Sequence, residues 1–356
     1  MQTVSRLTID LGAIVQNWQA LHALAPNAEI GAVVKADAYG HGANRVGPAL
    51  VNAGCKSFFT ATLEEAVSLR AAVGDDPEII ILHGVTKETA DEAKALRLRP
   101  IVNTLHQLRD WRFGGLVETG PAILHFDTGM NRLGLRPEDV PAVKQMLDDR
   151  PVGIVMSHLA CADEPDHPLN IEQKALFDAI AAEWPAAICS LVNSAGMALP
   201  GYAYDLCRPG IALYGGGVDL PLNGGKLKST LRFEAPILSV FMAKQGASTG
   251  YGASRRFGRH HRLATVAAGY ADGLPRALSN SGFAYIGEDR CKIVGRVSMD
   301  LVTLDVTDLT CPIAPGMMAE FIGPRANVEQ QALEAGTLGY ELMTGLGARA
   351  ERIWNE

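Results

Sequence analysis

The first two hundred residues alternate between short apolar runs and amphipathic stretches, and this alternation limits the fold more than any other property of the chain. The runs are Glu29–Lys35, Lys56–Ala61, Glu78–His83, Leu98–Asn103, Ala122–Asp127, Gly153–His158, Ile188–Asn193 and Asp205–Tyr214. The fourth is the weakest, because Pro100 interrupts it. Helical patterns lie between them. Asp10–Leu24 places Leu11, Ile14, Val15, Trp18 and Leu21 on one face, and Thr62 caps a helix with Glu64 and Glu65 in its first turn. Thr86–Leu96, Thr104–Trp111, Pro137–Leu147 and Asn170–Ala182 follow. Strands alternating with helices build a parallel sheet, and eight such units predict an α/β fold with a closed (β/α)8 TIM-type barrel. An open doubly wound sheet fits the same alternation, but no GxGxxG follows a strand, which weakens its dinucleotide-binding version.

The pattern changes after Tyr214. Gly215–Gly217 and Pro221–Gly225 read as a linker. Beyond it come short β-type segments: Leu231–Phe241, Leu263–Ala268, Phe283–Ile286, Cys291–Val297, Leu301–Val306 and Met318–Phe321, then one helix over Glu329–Met343. The chain has 356 residues. One barrel uses ~250, so roughly a hundred must form something else. The expectation is a barrel over 1–220 and a mostly-β domain over 221–356.

The net charge of −7 argues against nucleic acid, which selects basic faces. The locally basic stretch Arg255 to Arg262 reads as a solvated loop, or as a contact for an anionic ligand or a partner subunit. Cys55, Cys161, Cys189, Cys207, Cys291 and Cys311 form no CxxC pair, and several lie in apolar runs as small hydrophobes. Met1–Asp10 has no charged segment followed by an apolar one, and no stretch approaches the ~18 apolar residues of a membrane span. A cytoplasmic, soluble protein without a membrane partner is expected.

Polar residues of several kinds gather where the apolar runs end. The first ends in Lys35-Ala36-Asp37-Ala38-Tyr39-Gly40-His41-Gly42, the fifth in Asp127-Thr128-Gly129-Met130-Asn131-Arg132, and the sixth in Ser157-His158. The seventh ends in Asn193-Ser194-Ala195-Gly196, and the eighth carries Arg208-Pro209-Gly210-Ile211. In a barrel the C-terminal strand ends build the active site, so these groups share a rim. A lysine ending a buried strand is costly to desolvate unless it pairs or sheds its charge. Lys35 therefore either snorkels out of the mouth or serves as a Schiff-base amine. Tyr39 would touch a phosphate or a ring. Asn193–Gly196 and Gly210–Ile211 offer backbone N–H groups where this fold binds phosphate, although two ordinary loops would look the same. A rim lysine with a phosphate site suggests pyridoxal phosphate. No HExxH or close His/Cys pair points to a metal, and no GxSxG marks a nucleophile elbow.

These strings resemble the alanine racemases. AVVKADAYGHG (Ala32–Gly42) is similar to that family's pyridoxal-phosphate attachment motif. The likeness continues through DTGMNRLG (Asp127–Gly134), SHLACAD (Ser157–Asp163), NSAG (Asn193–Gly196) and RPGIALYG (Arg208–Gly215). GYGAS (Gly250–Ser254), GYADG (Gly269–Gly273) and GRVSMD (Gly295–Asp300) follow in order, with a weaker match at Gly339-Tyr340-Glu341. The resemblance covers nearly the whole chain. It implies interconversion of L- and D-alanine, for peptidoglycan or in alanine catabolism, although a broader small-amino-acid racemase would carry the same motifs. It implies Lys35 as cofactor anchor and base for D-alanine, and Tyr251 as the opposing base for L-alanine, contributed across a homodimer interface. Arg132 and the backbone of Met299, the latter again from the partner subunit, would hold the substrate carboxylate. Tyr39, Ser194, Gly210, Ile211 and Tyr340 would bind the phosphate, with Asn193 beside them. Arg208 would face the pyridine nitrogen, and His158 would link it to the tyrosine.

Racemisation takes the α-proton from one face and returns one to the other, so it needs acid–base groups on both sides. Lysine and tyrosine titrate near ~10 in water, so such bases must be driven down by burial and cationic neighbours. Arginine keeps its proton, so it leaves the pyridine ring a weaker electron sink and favours simple reprotonation. Two departures from the family stand out. In many relatives a carbamylated lysine, two residues before the Asp-Thr-Gly-Met string, orients the arginine; here that position is His125, so Arg132 must be held otherwise. Some members have histidine at the position of Ser190, and its support of Arg208 is expected to be missing. A basic-amino-acid decarboxylase would show a glycine-rich phosphate loop and a C-terminal cysteine motif, which are not found. A non-catalytic pyridoxal-phosphate protein would resemble the barrel alone.

Overall fold

A computed structural model describes residues 4–217, 219–222, 225–309 and 312–356. Cys311, and Asn223 and Gly224 of the expected linker, lie outside the described residues. The chain divides into two units. One holds Ile14–Leu213 and a short stretch ending at Leu227; the other holds the residues up to Ala13, Tyr214–Gly217 and Lys228–Glu356.

In the first unit, strands Ala32–Val33, Ser57–Thr60, Glu78–Ile81, Leu98–Val102, Ala122–His125, Val152–Met156 and Ile188–Ser190 pair in chain order, all parallel. Backbone bonds carry the ring onward. Asp205 N donates to Cys189 O (3.0 Å) and Arg208 N to Val192 O (3.1 Å). Leu206–Cys207 then pairs with Glu29–Ile30, and Val33 N donates to Pro209 O (3.0 Å). All eight apolar runs thus contribute to a closed ring. The runs are mostly apolar because a parallel barrel buries both faces of its strands; Phe58, Ile79, Ile80 and Ile81 are wholly buried. Pro100 does not break its strand and stands opposite Ile81. Thr62 and Thr104 cap helices Leu63–Val73 and Leu105–Phe113 by accepting the Glu65 and Gln107 N–H groups. Helix Ala43–Asn52, which the hydrophobic pattern did not announce, starts after Gly42.

In the second unit, Leu231–Ala243 pairs with Met318–Ile322 through its first half and with His261–Val266 through its second. Val302–Asp305, Asp289–Ile293 and Phe283–Ile286 complete the circuit, so six antiparallel strands close on themselves around Phe233, Phe283 and Phe321. Two more strands extend this sheet. Arg6–Asp10 runs antiparallel to the start of Leu231–Ala243 and parallel to Glu351–Asn355. This corrects the expected boundaries of 1–220 and 221–356: the first strand belongs to the β unit, where Leu7 and Ile9 are fully buried. The single helix expected over Glu329–Met343 is two, Val328–Ala335 and Gly339–Gly345, because Gly336 at φ 66° ends the first. In the basic stretch, Arg259 pairs with Asp308, His261 with Asp305, and Arg262 donates to Ile313 O, so much of its charge is engaged within the unit. Among the described residues, no helix is long and apolar enough to cross a membrane.

Candidate active site

Lys35, Arg132, His158, Asn193, Ser194 and Arg208 each follow the C-terminal end of a parallel strand, which puts them on one rim of the barrel. The chain leaves the first strand in an unusual way. Ala36, Asp37 and Ala38 have φ of 53–54° and Tyr39 φ of 53°, so four non-glycine residues in succession are left-handed. Such a conformation costs ~1–2 kcal/mol per residue and persists only where the surroundings over-determine it. Here they do. Ala36 N donates to Glu65 Oε1 (2.7 Å), Ala43 N to Asp37 Oδ1 (2.8 Å), and His41 Nδ1 lies 3.0 Å from Tyr39 O. Gly40 and Gly42, at φ 81° and 92°, let the chain continue into the next helix.

The turn delivers Tyr39 to the eighth run, its neighbour where the ring closes. A Cβ on Gly210 would lie 2.3 Å from the Tyr39 hydroxyl, so only glycine allows this approach. Ser194 Oγ accepts from Gly210 N (2.9 Å) and Ala212 N (3.1 Å), and Asn193 Oδ1 accepts from Gly196 N (3.0 Å). The Tyr39 and Ser194 hydroxyls therefore converge at Gly210, with Ser194 Oγ, already accepting two N–H groups, left with its own O–H to donate, and with Ile211 fully buried. This is donor chemistry suited to a phosphate.

Arg208 is 4% exposed. Its guanidinium donates to Ser190 Oγ, Ser157 O (2.6 Å) and Leu191 O (3.4 Å), and no carboxylate pairs with it among the described residues. Support from the Ser190 position is therefore present rather than missing: a hydroxyl accepts from the arginine and donates its own O–H to Leu206 O (2.5 Å). Burial lowers the Arg208 guanidinium to about 10, which leaves it charged at neutral pH. Burial, then the Arg208 charge, hold His158 down at about 3 and His125 at about 4, so both imidazoles are neutral. Burial and Arg132 lower the Lys35 amine, against an opposing pull from Glu65. A buried cation without a counter-ion favours an anionic occupant. The residues present thus fit pyridoxal phosphate: a cradle for its phosphate, an arginine for its ring, and a desolvated amine for its aldehyde.

The position of Arg132 comes from its loop. Asp127 accepts from Gly129 N (2.9 Å), Asn131 N (3.0 Å) and Arg132 N (3.0 Å), and pairs with Arg136 (3.3 Å). Burial works to raise the Asp127 carboxyl, but those backbone donors and Arg136 hold it low. In place of a carbamylated lysine, His125 Nδ1 donates to Asn103 Oδ1 (2.7 Å), whose own amide donates to Leu82 O (3.0 Å). That bond fixes the tautomer and leaves Nε2 as an acceptor.

Tyr251, Met299 and Tyr340 lie in the β unit. Gly250, at φ 75°, packs so closely on the backbone of Gly295 and Arg296 that a Cβ would lie 2.7 Å from Arg296 N. Tyr270 N donates to Ser298 O (3.0 Å) and Ala271 N to Met299 O (3.0 Å). Three loops are thereby laced together and present Tyr251 (73% exposed), Met299 (53%), Tyr270 and Leu301 to solvent. Tyr340 is the second residue of the helix Gly339–Gly345. The sequence reading did not single out Glu65, Asn103 or Asp127 as site residues. Asp127 was visible as the polar end of the fifth run, and Glu65 left a signal as the third residue after a capping threonine, where a carboxylate is expected to bond backward onto backbone N–H groups.

Two family models match the chain in succession: "Alanine racemase, N-terminal domain" over residues 9–217 and "Alanine racemase, C-terminal domain" over residues 230–354. An alanine racemase of Acidiphilium cryptum is 45% identical over 98% of both chains. A catabolic alanine racemase of Agrobacterium fabrum is 42% identical over 98% of this chain and 91% of its own. The crystal structure of an alanine racemase from Bartonella henselae with covalently bound pyridoxal phosphate is similar at a TM-score of 0.92 and 35% identity, covering 99% of this chain and 100% of that one. With both halves matched in order and the rim residues gathered as the motifs require, the chain belongs to the alanine racemase family of pyridoxal-phosphate-dependent isomerases.

Proposed function

We propose that Lys35 and Tyr251 are the two acid–base groups of an L-/D-alanine interconversion, working from opposite faces of the substrate in a shared site of a cytoplasmic homodimer. The observation that carries this reading is one barrel rim that holds the desolvated Lys35 amine with Arg132 acting on it, the buried Arg208 and a phosphate cradle. Pyridoxal phosphate, when bound, supplies electron withdrawal that acidifies the substrate Cα–H. The protein supplies the rest. Lys35 takes or returns the Cα proton on the D-alanine face, and the partner's Tyr251 does so on the L-alanine face. Arg132 and the partner's Met299 backbone hold the substrate carboxylate, which keeps Cα between the two bases. Tyr39, Asn193, Ser194, Gly210, Ile211 and Tyr340 fix the phosphate. Arg208 stays protonated at neutral pH and donates no proton to the ring, while neutral His158 adds no second charge beside it.

Dimerisation is supported by the exposed apolar cluster of Tyr251, Tyr270, Met299 and Leu301, a kind of patch that marks an interaction surface. Because enantiomers have equal free energy in water, one site serves either direction, supplying D-alanine for peptidoglycan or draining it in catabolism. Deuterium exchange at Cα of each enantiomer tests the two-base assignment. Tyr251→Phe is expected to slow exchange of L-alanine by roughly 10²–10³-fold and that of D-alanine far less. Unchanged exchange of both would remove Tyr251 from the mechanism.

A further inference from the structure

We infer that Glu65 is a positioning residue for Lys35: its carboxylate splints the left-handed turn that starts at Ala36 and so fixes where the amine is presented. The inference rests on the reading of Lys35 as the proton-transferring amine. Glu65 Oε1 accepts from Ala36 N (2.7 Å) and Oε2 from Ala61 N (2.7 Å). These donors sit on two successive loops of the rim, after Ala32–Val33 and after Ser57–Thr60. One carboxylate thus ties the residue that follows Lys35 to the neighbouring strand.

The turn's own bonds, Ala38 N to Val34 O (2.8 Å) and Gly40 N to Ala36 O (2.9 Å), do not engage the Ala36 N–H, which is satisfied by Glu65. The far end of the turn is held separately by Asp37 on Ala43 N. Glu65 also bears on the amine itself. Lys35 faces Arg132 from the loop after Ala122–His125, His158 from the end of Val152–Met156, and Glu65 from helix Leu63–Val73. Glu65 is the acidic member of that set, and it opposes the lowering by burial and Arg132. A side chain that served only as a helix cap would have neither property: the cap of this helix is Thr62, which accepts the Glu65 N–H.

The test uses the full-length chain and Glu65→Gln, which keeps size but loses the charge and one acceptor. Two quantities are read. The first is the pH midpoint for acetylation of Lys35 in the cofactor-free protein, followed by mass spectrometry. The second is the ratio of D- to L-alanine Cα exchange in the cofactor-loaded protein. The midpoint is expected to move down by about half a pH unit or more, and the D/L ratio to fall at least about tenfold. Glu65→Asp, which keeps the charge, is expected to leave the midpoint within about a quarter of a unit of the parent. Should Glu65→Gln fold poorly, the pair Glu65→Gln/Ala36→Gly relieves the backbone, since glycine accepts φ of 53° readily, and the same shift is expected there. A folded variant with the parental midpoint and parental D/L ratio overturns the inference. Lys35→Arg separates this from failure of the underlying reading: parental D-alanine exchange in that variant removes Lys35 as the base, whatever Glu65 does.

Discussion

In the barrel unit the residues proposed for the cofactor's ring and phosphate are sunk and cross-braced, while Arg132 stays exposed: Arg208 is 4% and Ser194 2% exposed, and each is held by two or more hydrogen bonds. In the β unit Tyr251 and Met299 are 73% and 53% exposed, and order resides in the loop backbones beneath them rather than around the side chains. One unit is organised to receive a small anionic molecule; the other presents apolar side chains that its own fold leaves uncovered. Preorganisation of the barrel unit and the completion by a second subunit proposed above are separable, and each can be attacked without the other.

The largest effect is expected from mixing two inactive chains. Lys35→Ala and Tyr251→Phe should each lose roughly 10²–10⁴-fold in racemase activity. In a mixed dimer with shared sites, one site has both defects and the other has neither. Statistical exchange of equal amounts then restores about a quarter of parental activity. Absence of recovery, with mixed dimers shown to form, would place both bases in one subunit and dissolve the contrast between the units.

A smaller effect tests the neutral histidines of the barrel. His125 and His158 sit at about 4 and about 3 against an ordinary 6.5. Below that ordinary value the unfolded chain takes up protons that the native barrel refuses, so stability falls with falling pH from about 6.5 and levels off below about 3. His125→Gln should flatten the part between about 6.5 and 4, worth about 3 kcal/mol at most, in denaturation midpoints measured across pH. An equally steep variant would show that the slope arises elsewhere.

The smallest effect sharpens the phosphate cradle. Gly210→Ala forces a methyl group to 2.3 Å from the Tyr39 hydroxyl. Relief by side-chain shifts costs about 1–3 kcal/mol, so pyridoxal-phosphate affinity, read by absorbance titration, should weaken roughly ten- to hundredfold. Gly258→Ala in the β unit, where a Cβ meets nothing within 4 Å, should leave that affinity unchanged.

The barrel was legible because a parallel sheet buried on both faces writes each strand as a largely apolar run, and because the rim chemistry sits at the end of several runs. Pro100 only weakened one of them. The strand Arg6–Asp10 was not legible: its partners lie at Leu231–Glu234 and Glu351–Asn355, and no local pattern reports a pairing so distant in sequence. Helix Val328–Ala335 was overrun for a simpler reason, since periodicity continued past Gly336 while the backbone did not. In the site, the sequence showed which groups were present but not their bonding. Nothing in it distinguished a Ser190 that replaces a histidine's hydrogen bond from one that merely leaves it out. The left-handed turn was equally hidden, because Ala-Asp-Ala-Tyr has no preference for it and adopts it only under tertiary constraint.

The placement of Arg6–Asp10 between Leu231–Glu234 and Glu351–Asn355 bears on the order in which the molecule is made. Residues 6–10 leave the ribosome long before either neighbour exists, so that strand waits while the intervening barrel segments are synthesised. The barrel unit has most of its residues available by Leu213, whereas the β unit's sheet is complete only after Asn355 has emerged. During translation the cofactor pocket can therefore begin to form before the surface bearing Tyr251 is finished, and the subunit pairing proposed above would follow both.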